Sequence, residues 1–225
     1  MAWTSDGTTS EYRAGDKIEM SIGLLGDDHV LSLFNIQSDG ELKRKFELIS
    51  PKEWQDALRI KVKNYGVVGE TTEELLKKID QMTDQITTLE YAILLIGTND
   101  VLLGAPISDI VQNLRDILLA IRNCDVTPIF CTLLPISRDE MTQTVTDINS
   151  MMTIFCADKS IKVFDLNLSF NNGEDLLDKY YDVGDGVHLT QEGYMLLSDN
   201  LMLRVREIIS EELTEYLGGT PDEAA

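Results

Sequence analysis

The sequence predicts an α/β domain with a mostly parallel sheet covered by helices on both faces. Strand-like apolar runs alternate with helical patterns from residue 17 to about 216, with no internal repeat. Tyr91–Ile96 is continuously apolar, as expected of a strand covered on both sides. Ile107, Ile110, Val111, Leu114, Leu118 and Ile121 recur at helical spacing and mark one apolar helix face. The 225 residues, 43% hydrophobic and 26% charged, suffice for one core without disulfides or metals. A single domain over 17–217 is expected, preceded by a flexible N-terminal segment (1–16) and followed by a flexible acidic tail (218–225).

The elements follow in order. Ile18–Leu25 reads as a buried strand that ends abruptly in Gly26-Asp27-Asp28-His29, with a short helical piece from Val30 to about Phe34. Residues 37–50 are polar and read as a loop or lid, Lys52–Ile60 as a helix, and Val62–Tyr65 as a second strand. Gly66–Gly69 is a turn, and Thr71-x-x-Glu74 is a capping box that opens a helix over Glu73–Ile86. The strand Tyr91–Ile96 ends in Gly97-Thr98-Asn99-Asp100, and Pro106 starts the amphipathic helix. Val126–Leu134 is a fourth strand, Asp139–Ala157 a helix, Ile161–Leu166 a fifth strand, and Thr190 begins a final helix reaching about Tyr216.

Charge narrows the function classes. With 39 acidic and 19 basic residues the formal net charge is −20, which repels nucleic-acid phosphates and anionic membranes. Neither is expected as a partner. Cys124, Cys131 and Cys156 lack the spacing of a zinc site or a disulfide framework and are expected to be buried thiols. The first twenty residues lack the apolar core of a signal peptide, and no run has the length of a membrane span, so the expected address is cytoplasmic. No cofactor motif is present, and oligomeric state leaves no trace in the sequence.

In sheets of this kind the ligand site lies beyond the carboxyl ends of the strands. The segments that fall there are Gly26-Asp27-Asp28-His29, Gly69, Gly97-Thr98-Asn99-Asp100 and, before the last helix, Asp185-Gly186-Val187-His188. Both histidines of the chain, His29 and His188, lie in these segments. Gly69 can let a ligand oxygen approach a backbone N–H, and the Asn99 amide can donate a second hydrogen bond to it, as in an oxyanion hole. Asp185, three residues before His188, can hold the imidazole in one tautomer. His29 follows Asp28 by about 100° on a helix and reads better as a satisfied, partly buried histidine.

These segments resemble the SGNH/GDSL hydrolase family. Gly26-Asp27 matches the family's Gly-Asp-Ser turn, Gly69 its glycine block, and Gly97-Thr98-Asn99-Asp100 its Gly-x-Asn-Asp block. Asp185-Gly186-Val187-His188, followed by Leu189-Thr190 and Gly193-Tyr194, resembles its Asp-x-x-His block. The resemblance runs from about Ile18 to Leu217. It implies a three-layer, flavodoxin-like α/β/α fold of about five parallel strands and hydrolysis of a small ester or acylated molecule. It also implies catalytic positions at Asp28, Gly69, Asn99, Asp185 and His188.

The departure is at position 28, where the family serine is replaced by Asp28. Ser32 lies one helical turn further on and Ser21 lies inside the first strand, so neither is an evident substitute. Asp28 reads as a helix N-cap, as a carboxylate nucleophile, or as a base for water. Activity is therefore expected to be altered or lost. The alternatives are a non-catalytic protein that binds a ligand in the same cleft and, less favoured, a metal-dependent phosphoesterase using Asp27, Asp28, His29, Asp100, Asp185 and His188.

Overall fold

In the computed structural model, residues 20–34, 60–138 and 140–216 are described. The first strand, β1 (Met20–Gly26), carries apolar and small residues and is buried almost throughout, so it can only be an interior strand. It is flanked by β2 (Ile60–Asn64) and β3 (Tyr91–Leu95), followed outward by β4 (Thr127–Cys131) and β5 (Lys162–Phe164). The order is β2-β1-β3-β4-β5 and every pairing is parallel.

The helices are α1 (Asp28–Phe34), α2 (Thr72–Ile79), α3 (Thr83–Ile86), α4 (Thr98–Leu102), α5 (Ile107–Asn123), α6 (Met141–Asp158), α7 (Asn167–Phe170) and α8 (Gln191–Tyr216). Strand side chains alternate between the two faces of the sheet. On β3, Ala92 and Leu94 join the core beneath α2, α5 and α6. Tyr91, Ile93 and Leu95 join the opposite core with Val30, Leu197 and Leu201 of α1 and α8. This is the three-layer α/β/α sandwich with five parallel strands that the sequence predicts.

Phe130 of β4 is fully buried in the first of these cores. Phe130→Ala is expected to cost about 3–5 kcal/mol in a urea titration, because the cavity collapses only in part. A loss below about 1 kcal/mol would show that the strand is not packed as described.

Several boundaries differ from the sequence reading. Ile60 opens β2 and does not close a helix; the expected helix over 52–59, the loop 37–50, and the terminal segments 1–16 and 218–225 lie outside the described residues. The helix expected over 73–86 is interrupted by a 3-10 turn at Asp80–Met82. There the Thr83 hydroxyl donates to the Asp80 carbonyl at 2.8 Å and competes with the helical ladder. β4 stops at Cys131 because Leu133 has other partners: its N–H goes to Asn149 Oδ1, and its carbonyl accepts from Asn149 and Asn167. β5 is shorter than expected, and α4 and α7 are additional short helices. Cys131 and Cys156 are buried, whereas Cys124 is only partly so. Burial pushes the Cys131 thiol far above its ordinary range and Cys156 up to about 11.

The strand order reverses between β1 and β3, since β2 lies on one side of β1 and β3 to β5 on the other. A crevice opens at such a switch point. The residues just beyond β1 and β3, Asp28 and Asn99, therefore meet across it.

Candidate active site

The turn after β1 is tight. A Cβ on Gly26 would lie 2.0 Å from the Leu95 carbonyl oxygen, so only glycine lets β1 and β3 run side by side to their ends. Asp27 caps α1, its Oδ1 accepting the His29 N–H at 3.0 Å. The N-cap role considered for Asp28 thus belongs to its neighbour. Asp28 is the first helical residue, and its side chain leaves the helix. Asp28 Oδ2 accepts the Gly69 N–H at 2.8 Å and an Asn99 Nδ2–H at 3.2 Å.

Gly69 can present its N–H because its φ is +71°, a left-handed conformation that favours glycine. Asn99 sits on the first turn of α4, and its amide also donates to the Glu70 carbonyl at 3.2 Å. Asp100 fixes the distance between these two elements. Its buried carboxylate accepts the Thr72 N–H at 2.9 Å and the Thr72 hydroxyl at 2.6 Å, tying α4 to the start of α2. Burial raises the Asp100 pKa, and the Thr72 hydrogen bonds partly offset that rise. The sequence marks Asp100 as part of the Gly97–Asp100 block and as a candidate metal ligand, and its clamp on Thr72 shows only in the structure.

His188 and Asp185 form a pair, with Nδ1 2.6 Å from Asp185 Oδ2. Asp185 Oδ1 also accepts the N–H groups of Val187 and His188. Burial works to raise the Asp185 pKa, but the bonds from the His188 ring and the two backbone N–H groups outweigh it and hold the carboxyl below its ordinary value. With Nδ1–H facing Asp185, Nε2 is left as the basic nitrogen. Asp28, Asn99 and His188 line one cavity of about 10 Å³ together with Asp27, His29, Thr98, Leu102 and Val187. That volume holds about one water molecule.

His29 corrects its expected role. It is 2% exposed, its Nδ1 has no hydrogen-bond partner, and its ring lies 6.2 Å from that of His188. Burial, together with the neighbouring His188, lowers its pKa to about 4. Ser32 does not line the cavity and hydrogen-bonds to Tyr194. Phe170, Tyr180 and Tyr181, the aromatic candidates for a pocket wall, instead pack on one another at 5.1–5.5 Å, with Phe170 fully buried. Among the described residues, no three His, Cys, Asp or Glu side chains converge as a metal-ligand set. Asp100 and Asp185 are already committed to Thr72 and His188.

Asp27 makes a pH prediction. It is 1% exposed, its Oδ2 has no partner, and burial raises its pKa to about 7 from 3.8. A raised folded-state pKa means that the stability Asp27 contributes is whole below 3.8 and is lost as pH rises through about 7. Asp27→Asn keeps the oxygen that caps His29 but cannot ionise. Its melting temperature relative to the parent is expected to climb between pH 4 and 7; parallel curves would mean that Asp27 is not buried as a neutral acid.

A parallel three-layer sandwich of this strand order, with a histidine–carboxylate pair and two convergent N–H donors at its switch point, defines an α/β protein with the SGNH-hydrolase fold. The chain belongs to the GDSL-like lipase/acylhydrolase family, whose model matches residues 39–196 and so begins after the Asp28 turn. No curated protein matches it in sequence. The fold is similar to that of a GDSL-like lipase from Bacteroides thetaiotaomicron, with a TM-score of 0.69, 15% identity, and 88% of this chain and 93% of that one covered. It is also similar to a lipase/acylhydrolase from Enterococcus faecalis (TM-score 0.63, 20% identity, 84% and 96% covered). A catalytic mutant of an acetylxylan esterase from Geobacillus stearothermophilus is a third (TM-score 0.66, 19% identity, 83% and 95% covered). At these identities the likeness is of fold alone. Among the described residues no helix is long and apolar enough to cross a membrane.

Proposed function

We propose that this chain carries an acyl-ester hydrolase site whose serine-type turnover is lost because Asp28 fills its oxyanion hole. The observation that carries this reading is the pair of hydrogen bonds from Gly69 N–H and Asn99 Nδ2–H to Asp28 Oδ2. Two donors converging on one negative oxygen are what a tetrahedral intermediate requires. Here the protein's own carboxylate takes them. A substrate carbonyl must displace it, and each charge-assisted bond is worth about 1.5–3 kcal/mol when shielded, less at this half-open position. Asp28 also cannot replace serine in the reaction itself, because a carboxylate attacking an ester carbonyl gives an anhydride.

In this reading His188 is the base, Asp185 orients it, and Gly69 and Asn99 are the oxyanion donors. The ligand class is a small ester or acylated molecule, in keeping with the acetyl ester named for one structural neighbour. The full chain is expected to leave p-nitrophenyl acetate and other short acyl esters at the uncatalysed rate. Robust turnover that survives Asp28→Ala would sink the proposal, since neither the plug nor the carboxylate would then matter.

A further inference from the structure

The Asp28 carboxylate that blocks an external acyl group is well placed for a different electrophile. We propose that Asp28 Oδ1 attacks a saturated carbon bearing a leaving group that departs neutral, a small alkyl sulfonium, and that the resulting aspartyl ester is hydrolysed with His188 as base. This shares with the preceding reading the placement of Asp28, but not the loss of acyl turnover.

The two carboxylate oxygens are not equivalent. Oδ2 is held by Gly69 and Asn99, while no hydrogen bond to Oδ1 is found among the described residues. Oδ1 therefore keeps its electron pairs for attack. At a saturated carbon the product is an ordinary ester, free of the anhydride problem. In that ester Oδ2 is the carbonyl oxygen and already sits between two donors. The hole that excludes a foreign carbonyl is thus the hole for the protein's own. The cavity lined by Asp28, Asn99 and His188 measures about 10 Å³. That volume holds about one water molecule beside Asp28 and His188.

Charge selects the leaving group. Among the described residues no lysine or arginine lines the cavity, and Arg138 is turned to the Asp185 carbonyl at 3.1 Å. Asp28 and Asp185 flank the site, in a chain of net charge −20. A departing anion meets an unfavourable field there, whereas a sulfonium is attracted and leaves as a neutral thioether.

The steps balance. Oδ1 supplies the electron pair for the new C–O bond, and the C–S bond breaks with its pair going to sulfur, releasing the thioether. Water then adds to Asp28 Cγ as His188 Nε2 takes its proton, placing the negative charge on Oδ2. Collapse breaks the bond from Cγ to Oδ1, the alkoxide takes the proton from His188, and the products are an alcohol and a carboxylate. The second proton of the added water is released to solvent.

The test uses the full chain and trimethylsulfonium in heavy-oxygen water. Dimethyl sulfide and methanol are expected, with heavy oxygen entering the carboxylate of the Asp28 peptide. His188→Ala is expected to slow methanol release by roughly 10²-fold or more and to retain a methyl ester on Asp28 in the intact mass. Methanol formation no faster than in Asp28→Ala, itself checked for folding by its melting curve, overturns the proposal. Turnover without heavy oxygen in Asp28 overturns it too, because water would then have attacked the methyl group directly. If both probes fail while Asp28→Ser hydrolyses acyl esters, this inference is rejected and the preceding one stands.

Discussion

Asp28→Ser is expected to raise esterase activity by about 10³-fold or more in kcat/KM on p-nitrophenyl acetate. Removing the nucleophile from a serine hydrolase costs on the order of 10⁶ in turnover, while the remaining groups retain about 10³–10⁴ over water. Restoring a hydroxyl at position 28 should recover part of that difference. The shorter side chain also vacates the point where the Gly69 N–H and Asn99 Nδ2 converge, at 2.8 and 3.2 Å from the present carboxylate oxygen. Burst kinetics with p-nitrophenyl acetate would reveal the acyl-enzyme. If the serine variant stays at the uncatalysed rate while its fold and melting temperature are unchanged, the donors and the His188–Asp185 pair are not arranged for acyl transfer.

His188→Ala in the Asp28→Ser background is expected to erase that gain entirely. A serine hydroxyl is a poor nucleophile until a base accepts its proton, and nucleophile and base are lost as one unit. Asp185→Asn in the same background should remove most of that gain, because the amide no longer holds the Nδ1–H tautomer that the 2.6 Å contact defines. Asn99→Ala should cost about 10²–10³ in kcat with little change in KM, the mark of a donor that matters in the transition state. Equal activity of the single and the doubly substituted chains would remove His188 from the mechanism.

The Asp27 and His29 environments bear on the pH range in which these assays are meaningful. The stability that Asp27 contributes is lost as pH rises through about 7. His29, lowered from 6.5 to about 4, contributes stability present above pH 6.5 that is lost as pH falls through about 4. The two buried groups pull the native state in opposite directions. Between about pH 4 and 6.5 the two slopes oppose each other and largely cancel, so the pair leaves stability nearly flat across that range.

Much of the fold was legible because burial leaves a periodic trace in a single sequence. β3 is an unbroken apolar run because both its faces are covered, and α5 shows its buried face at helical spacing because the other face meets water. The capping box at Thr71 and Glu74 is equally local, and both of its hydrogen bonds are present. Boundaries were less legible where a side chain competes with the backbone ladder. Thr83 does so after α2, and Asn149 does so beyond β4, and neither partner can be read from the local pattern.

By itself the sequence determined the alternation of strands and helices and the placement of the Asp28 and Asn99 turns just beyond two of the strands. Only the tertiary structure decided what that aspartate does. Its partners lie 41 and 71 residues away, so no local rule assigns them, and the local rule that does exist, N-capping, is satisfied by Asp27 instead. The burial of His29 and the Asp100–Thr72 clamp are of the same kind. Periodicity reports which face of an element is buried, whereas a polar side chain's partner is chosen by whatever the fold brings within hydrogen-bond reach.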